Sequence, residues 1–191
     1  MPRGTPFHER TQALCETYSW KNWSGYHAVC TYGLSPDREY NAIRQGAAMI
    51  DVTPLFKYDI SGPDAGAFLA RLLVRDVRKL KPGRMSYLCW CDDDGKVIDD
   101  GTCARLSEEA YRLTSAAPAM HWLQRHARAF DVTLHDRSDS ITALALQGPT
   151  SRELLRQVCD ADMDALRDSG RSAEEGKAAA EKALEAAAAA Q

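Results

Sequence analysis

Two adjacent aspartates, Asp99 and Asp100, lie inside a stretch whose other residues are typical of a β-strand. Aspartate is disfavoured in strands, and because strand side chains alternate between faces, two in a row place one carboxylate on each face. One interpretation is that both carboxylates are solvated at an exposed edge. The other is that one of them lies in a pocket and holds a cationic or N–H-bearing ligand. Periodicity alone leaves both interpretations open.

The aspartate pair is predicted to lie on the second strand of a β-hairpin. Tyr87 to Cys91 is a short apolar and aromatic run that predicts the first strand. The turn is predicted at residues 92–95, Asp-Asp-Asp-Gly, because Asp side chains bond the following backbone and Gly adopts positive φ without steric cost. Residues 96–106, from Lys96 to Leu106, then form the returning strand.

The segment from Pro82 to Gly101 carries the pattern P-G-x-x-x-Y, then a turn, then G-x-x-x-D-D. It resembles the N-terminal folate-binding part of the aminomethyltransferase family, which comprises the glycine cleavage T-protein and its demethylase and dimethylglycine-oxidase relatives. The resemblance covers roughly residues 5 to 158. Further matching segments follow in the family's order: Thr5-Pro6-Phe7, Ile50-Asp51-Val52-Thr53, Ile60-Ser61-Gly62-Pro63-Asp64-Ala65, Thr114-Ser115-Ala116 and Leu146-Gln147-Gly148-Pro149.

The resemblance implies transfer of a one-carbon unit to tetrahydrofolate. The donor would be a methylated amine, sulfur or oxygen compound, or a lipoyl-carrier protein. Asp100 matches the family's catalytic carboxylate, which can bond the folate amine nitrogen and favour positive charge there. Tyr87 matches a position lining the folate site, and the implied cofactor-binding set is Tyr87, Asp99 and Asp100. Strand alternation puts Asp99 on the face opposite Asp100, where a structural role is expected.

Two departures from the family pattern leave the one-carbon donor open. Gly95-Lys96 stands where the family has two glycines, and Ala116 stands where it often has asparagine. Family members are also expected to continue for about as long again, with further folate contacts there. The resemblance therefore implies an N-terminal portion of such a transferase; the alternative is an inactive folate-binding or scaffold module that keeps the fold without turnover.

Composition argues against nucleic-acid binding, membrane insertion and metal binding. The net charge of −3, with both signs interspersed, gives no electrostatic footprint for nucleic acid or acidic membranes. No apolar run reaches the roughly 20 residues of a membrane span, and the N-terminus lacks the apolar core of a signal peptide, so a cytosolic protein is expected. The six cysteines lack zinc-site spacing, which predicts reduced, mostly buried thiols and no metal site.

The predicted elements indicate an α+β fold, a mostly antiparallel sheet with helices packed on it. From residue 55 onward the predicted order is β-α-β-β-β-α-β-β-α, preceded by a helix from Ser35 to about Ala48 and an irregular aromatic arm over residues 1–34. The last helix, after Gly148, is expected to turn Leu154, Leu155 and Val158 inward. Residues 1–160 are predicted to form one incomplete folate-binding domain. Residues 161–191 form a linker and an Ala-rich helical tail, helical over 172–190 and largely exposed.

Overall fold

The computed structural model of the protein describes residues 1–160, so the predicted Ala-rich helix at 172–190 lies outside the described residues. Five α-helices are described: α1 (His8–Leu14), α2 (Asp37–Gln45), α3 (Ala65–Leu72), α4 (Met120–Ala127) and α5 (Ser151–Val158). Nine strands are described: β1 (Trp20–Trp23), β2 (Tyr26–Val29), β3 (Ala48–Asp51), β4 (Phe56–Ser61), β5 (Met85–Cys91), β6 (Val97–Ser107), β7 (Ala110–Ser115), β8 (Thr133–Asp136) and β9 (Leu144–Gln147). None of the described helices is long and apolar enough to cross a membrane.

The chain divides into two compact units. The first unit comprises residues 1–55 together with the described chain from Ser138 onward, and the second comprises residues 56–137. Every strand pair in both units is antiparallel. The α+β class with antiparallel sheets, predicted from the order of elements, is confirmed.

The first unit begins with regular structure where the sequence predicted an irregular arm. Strands β1 and β2 form a hairpin in which Trp23 pairs with Tyr26 across a two-residue turn. Both turn residues have positive φ, 50° at Ser24 and 85° at Gly25, as the tight turns that match strand twist require. The prediction for residues 1–34 was therefore wrong: the Ser-Gly pair between two aromatic runs is a hairpin signal.

In the rest of the first unit, β3 pairs with β9 in a two-stranded sheet. This sheet joins the two segments of the chain that make up the unit. Helix α2 ends at Gln45 instead of near Ala48, because Gly46 ends the helix and residues 48–51 enter β3. The inward orientation predicted for the apolar side chains of α5 is also wrong. Leu154, Leu155 and Val158 are 41%, 38% and 81% exposed.

The second unit is a five-stranded sheet in the order β5-β6-β7-β4-β8, with α3 and α4 packed on one face. Its core joins alternate residues of the strands, such as Ile60, Trp90 and Leu113, to Phe68 of α3 and Leu123 of α4; all are 1% exposed or less. The period-2 alternation in β5 is complete, because Ser86, Leu88 and Trp90 are buried while the residues between them are not. The opposite face of this sheet, called the polar face below, carries mainly polar side chains such as Asp59, Thr102 and Arg112.

Strand β5 is an edge strand of the five-stranded sheet. The segment after α3 pairs with part of its free edge. Leu73 pairs with Trp90 in an isolated antiparallel bridge. The N–H of Val74 donates to the carbonyl oxygen of Cys89 at 3.1 Å. These contacts hold β5, the strand that carries Tyr87, in place.

Candidate functional site

The predicted hairpin is present, as β5, a turn at residues 92–95 and β6. In the turn, the N–H of Asp92 donates to the carbonyl of Lys96, and the N–H of Lys96 donates to Asp92 Oδ1 at 2.8 Å. Across the hairpin, Tyr87 pairs with Thr102 and Cys89 pairs with Asp100. Directly opposed residues of an antiparallel pair share a face, so Tyr87 and Asp100 lie on the same side of the sheet, opposite the hydrophobic core.

Tyr87 and Asp100 contact each other through a hydrogen bond from the phenol to Asp100 Oδ2. Both side chains are exposed, Tyr87 at 63%. The hydrogen bond to Asp100 raises the pKa of the Tyr87 phenol above its ordinary value, and partial burial and the carboxylate charge raise it further. The phenol is the donor in this contact, and the raised pKa extends that role to more alkaline pH. The structure therefore brings together the two residues that the resemblance assigns to the folate site.

Asp99 lies on the other face, opposite Trp90 in the register, as strand alternation predicted. Its Oδ2 accepts backbone N–H groups of Ala116 at 3.1 Å and Ala117 at 2.9 Å, in the loop from β7 to α4. Its Oδ1 accepts the N–H of Asp100 at 2.8 Å. The Asp99 carboxylate thus joins the hairpin to the loop before α4. Membership of Asp99 in a cofactor-binding set stays a prediction.

Two threonines continue the polar face beside the Tyr87–Asp100 pair, and neither was predicted as a site residue. The hydroxyl oxygens of Thr102 and Thr114 are 2.6 Å apart, and the N–H of Thr102 donates to Thr114 Oγ1 at 3.1 Å. Thr102 is two residues after Asp100 and therefore shares its face. Strand periodicity could have identified Thr102, whereas Thr114 depends on the register between β6 and β7.

The cysteines divide into environments that the sequence did not predict. All six are free thiols, but among them only Cys15 and Cys103 are buried, so the prediction of mostly buried cysteines was wrong. Cys89 and Cys91 share the polar face of β5, whereas Cys103 lies in the core, where burial raises the pKa of its thiol to about 12. Among residues 1–160, no group of three or more His, Cys, Asp or Glu residues is placed to hold a metal ion.

Comparison with known proteins gives one family for most of the chain. Residues 7–184 match the family described as GCVT N-terminal domain. The aminomethyltransferase of Bacillus subtilis (strain 168) is 37% identical over 134 residues, which is 68% of this chain and 37% of that protein. The aminomethyltransferase of Methylococcus capsulatus (strain Bath) is 36% identical over 172 residues, 87% of this chain and 47% of that protein.

A solved structure shares the fold. The glycine cleavage system aminomethyltransferase T from Bartonella henselae matches with a TM-score of 0.72 at 23% sequence identity, covering 82% of this chain and 44% of that protein. At this identity the match is a statement about the fold. The chain spans less than half the length of these three proteins.

Proposed function

The chain belongs to the GCVT N-terminal domain family, and on that premise we propose that it is the folate-binding part of a tetrahydrofolate-dependent one-carbon transferase of the glycine cleavage T-protein type. Residues 1–160 would form that part, and residues 161–191 a linker and helical tail. The observation that carries the proposal is the hydrogen-bonded pair of Tyr87 and Asp100 on the exposed face of the hairpin.

The residues of this face fit a flat heterocycle that carries N–H groups. The Tyr87 ring is 63% exposed and offers an apolar surface for stacking. The Asp100 carboxylate beside it is exposed. Its Oδ2 accepts the hydrogen bond from the Tyr87 phenol, so Oδ1 can accept a second donor. An N–H group or a developing cation is the partner that this oxygen prefers.

Each of the three residues would have a separate part. Asp100 would accept an N–H of the ligand and stabilise positive charge on its amine nitrogen, an electrostatic role. The Tyr87 phenol, which is protonated at neutral pH, would hold the Asp100 carboxylate in one orientation. Asp99 would act as a positioning residue through the loop before α4. Bound tetrahydrofolate would supply the nitrogens that receive the one-carbon unit.

The partners and the location stay proposals at this level of detail. The one-carbon donor would be a methylated amine, sulfur or oxygen compound or a lipoyl-carrier protein, and the cytosolic location is the one expected from the sequence. A second candidate is a folate-binding module without turnover. The exposure of the Tyr87–Asp100 pair favours it, because solvent weakens electrostatic stabilisation at an open site.

A folate titration tests the proposal. The full chain is titrated with 5-formyltetrahydrofolate, and protein fluorescence is followed, since the chain contains four tryptophans. Asp100→Asn keeps the shape but removes the charge, and we expect its affinity to fall by at least about tenfold, the loss of one charge-assisted hydrogen bond. Asp93→Asn, an equal charge change in the exposed turn, is the control and should bind like the parent.

Equal affinity of Asp100→Asn and the parent would show that this carboxylate is not a ligand group, and no binding by the parent would refute the folate proposal. Turnover then separates the two candidates. With an aminomethyl-lipoyl carrier protein as donor, an enzyme should lose on the order of 10²-fold in rate on Asp100→Asn. A module that only binds should show no transfer in either protein.

A further inference from the structure

Two cysteines of β5, Cys89 and Cys91, lie on the polar face of the five-stranded sheet, and the Tyr87–Asp100 pair does not use them. They are two residues apart in one strand, so their side chains leave the backbone on the same side. Both are half-buried free thiols, which leaves each sulfur within reach of a small solute. The third cysteine of the hairpin, Cys103, is buried in the core on the other side of the sheet.

The two thiols affect each other. Burial raises the pKa of the Cys89 thiol, and the charge of an ionised Cys91 and a hydrogen bond between the two thiols raise it further. Asp100, which pairs with Cys89 across the hairpin, adds a smaller effect in the same direction. Two sulfur atoms and a carboxylate are thus grouped on one face, where negative charge on the sulfur atoms is unfavourable without a cation.

The spacing of the pair favours a bridging ion over a disulfide. Residues two apart in a strand are separated by about 6.7 Å, whereas the Cβ atoms of a disulfide lie only about 4 Å apart. Closing an S–S bond would therefore bend β5 at Trp90, whose side chain is 1% exposed in the core. A thiolate–metal bond is about 2.3 Å long, so two bonds in line span about 4.6 Å. Two side chains that lean together can hold such an ion without movement of the strand.

The ligand set restricts the kind of ion. Within the part of the chain that the structure describes, no group of three or more His, Cys, Asp or Glu side chains is placed to hold a metal, so this pair offers two sulfur ligands only. Zinc sites have three or four protein ligands, and calcium and magnesium bind oxygen. Cu(I) is a soft cation that thiolates select, and two thiolates in line satisfy it.

We propose that Cys89 and Cys91 form a two-thiolate binding site for Cu(I). Each thiol loses its proton as its sulfur binds the ion, and the complex carries one negative charge. Strand β5 provides the spacing, because its backbone is paired with β6 and with the segment after α3. The two sulfur atoms alone carry the proposal, so it does not rest on the folate role of Tyr87 and Asp100.

An anaerobic competition titration with Cu(I) tests the site. The fully reduced full chain is added to the coloured complex of Cu(I) with ferrozine, and the loss of colour measures transfer of the ion to the protein. We expect transfer to end at one Cu(I) per chain. An absence of transfer to the parent would overturn the proposal.

Single serine variants test the assigned sulfur atoms. Cys89→Ser and Cys91→Ser each leave one sulfur, and each should weaken Cu(I) binding by at least about 100-fold, because the second bond of a two-point attachment forms within the molecule. Cys30→Ser and Cys159→Ser remove exposed thiols outside the hairpin and should bind Cu(I) like the parent. Parental affinity in either folded hairpin variant, or lost affinity in either control, would overturn the proposal.

Two further measurements test the number of ligands. An equal amount of Zn²⁺ should leave the Cu(I) end point unchanged, because two ligands leave the zinc shell incomplete. X-ray absorption at the copper edge should show two sulfur neighbours, whereas three or more would show an ion shared between chains and would overturn the proposal. If Cys89→Ser melts early, Cys91→Ser alone decides. Because Cu(I) and 5-formyltetrahydrofolate are titrated separately, failure of either proposal leaves the other standing.

Discussion

Replacement of Asp99 by alanine should destabilise the protein far more than replacement of Asp100, its neighbour in the chain. Asp99→Ala removes a carboxylate acceptor from three backbone N–H groups, at 2.8, 2.9 and 3.1 Å. A hydrogen bond to a charged group contributes about 1.5–3 kcal/mol when buried. These three are exposed, so water replaces part of each, and about 0.5–1 kcal/mol apiece is a better measure. The expected loss in unfolding free energy is therefore about 2 kcal/mol.

Asp100→Ala removes a carboxylate that contacts Tyr87 at the exposed surface. Neither side chain contributes to the core, and surface substitutions of this kind usually change stability by less than about 0.5 kcal/mol. The two alanine variants remove the same atoms one residue apart, so each is the control for the other. They should differ because one carboxylate holds a loop and the other faces outward.

Thermal and urea unfolding of the full chain measure the difference. For a protein of this size, about 2 kcal/mol corresponds to a melting temperature roughly 4–8 °C lower for Asp99→Ala. Folate binding should show the reverse pattern where Asp99→Ala remains folded, with the larger loss in Asp100→Ala. Equal stability of the two variants, or a less stable Asp100→Ala, would refute the division of roles between the two carboxylates.

Two further substitutions test the packing of the same hairpin. Gly101→Ala would place a Cβ 1.9 Å from the backbone oxygen of Thr114, so we expect the free energy of unfolding in urea to fall by more than about 3 kcal/mol. Gly33→Ala, with open space around it, is the control and should change that free energy little. A folded Gly101→Ala of parental stability would contradict the packing. The Cys103 thiol has a folded pKa of about 12, above its unfolded value near 9. Its contribution to the free energy of unfolding is therefore fully present below pH 9 and is lost as the pH rises towards 12, because only the unfolded thiol ionises over that range. Between pH 9 and 12, Cys103→Ala should lose less stability than the parent, by up to about 1.4 kcal/mol per pH unit. Cys159 is exposed, so Cys159→Ala should follow the parent. An identical dependence of stability on pH for the parent and Cys103→Ala would refute the contribution of the buried thiol.

The sequence was sufficient to predict the hairpin and the separation of the two aspartates, because both depend on local rules. The Asp-Asp-Asp-Gly turn specifies a chain reversal, and the period of two in a strand assigns Asp99 and Asp100 to opposite faces. It was not sufficient to predict the contact between Thr102 and Thr114 or the hydrogen bonds that Asp99 accepts. Those contacts depend on the register between β6 and β7 and on the path of the following loop, which no local pattern specifies.

The pairing of β3 with β9 in the first unit was missed for the same reason, because it joins segments about a hundred residues apart. The exposed face of α5 shows the opposite error. Leu154, Leu155 and Val158 have helical apolar spacing, but spacing states only which residues share a face and not whether anything covers it.

The bridge between Leu73 and Trp90 has a consequence for the behaviour of the protein in solution. An end strand with free N–H and C=O groups is a template on which other chains can add, and fibrils and swapped dimers begin at such places. The short segment after α3 occupies part of that template on β5, with Val74 bonded to the carbonyl of Cys89. The strand that carries Tyr87 can therefore keep its polar face open to a ligand while its rim is partly closed to self-association.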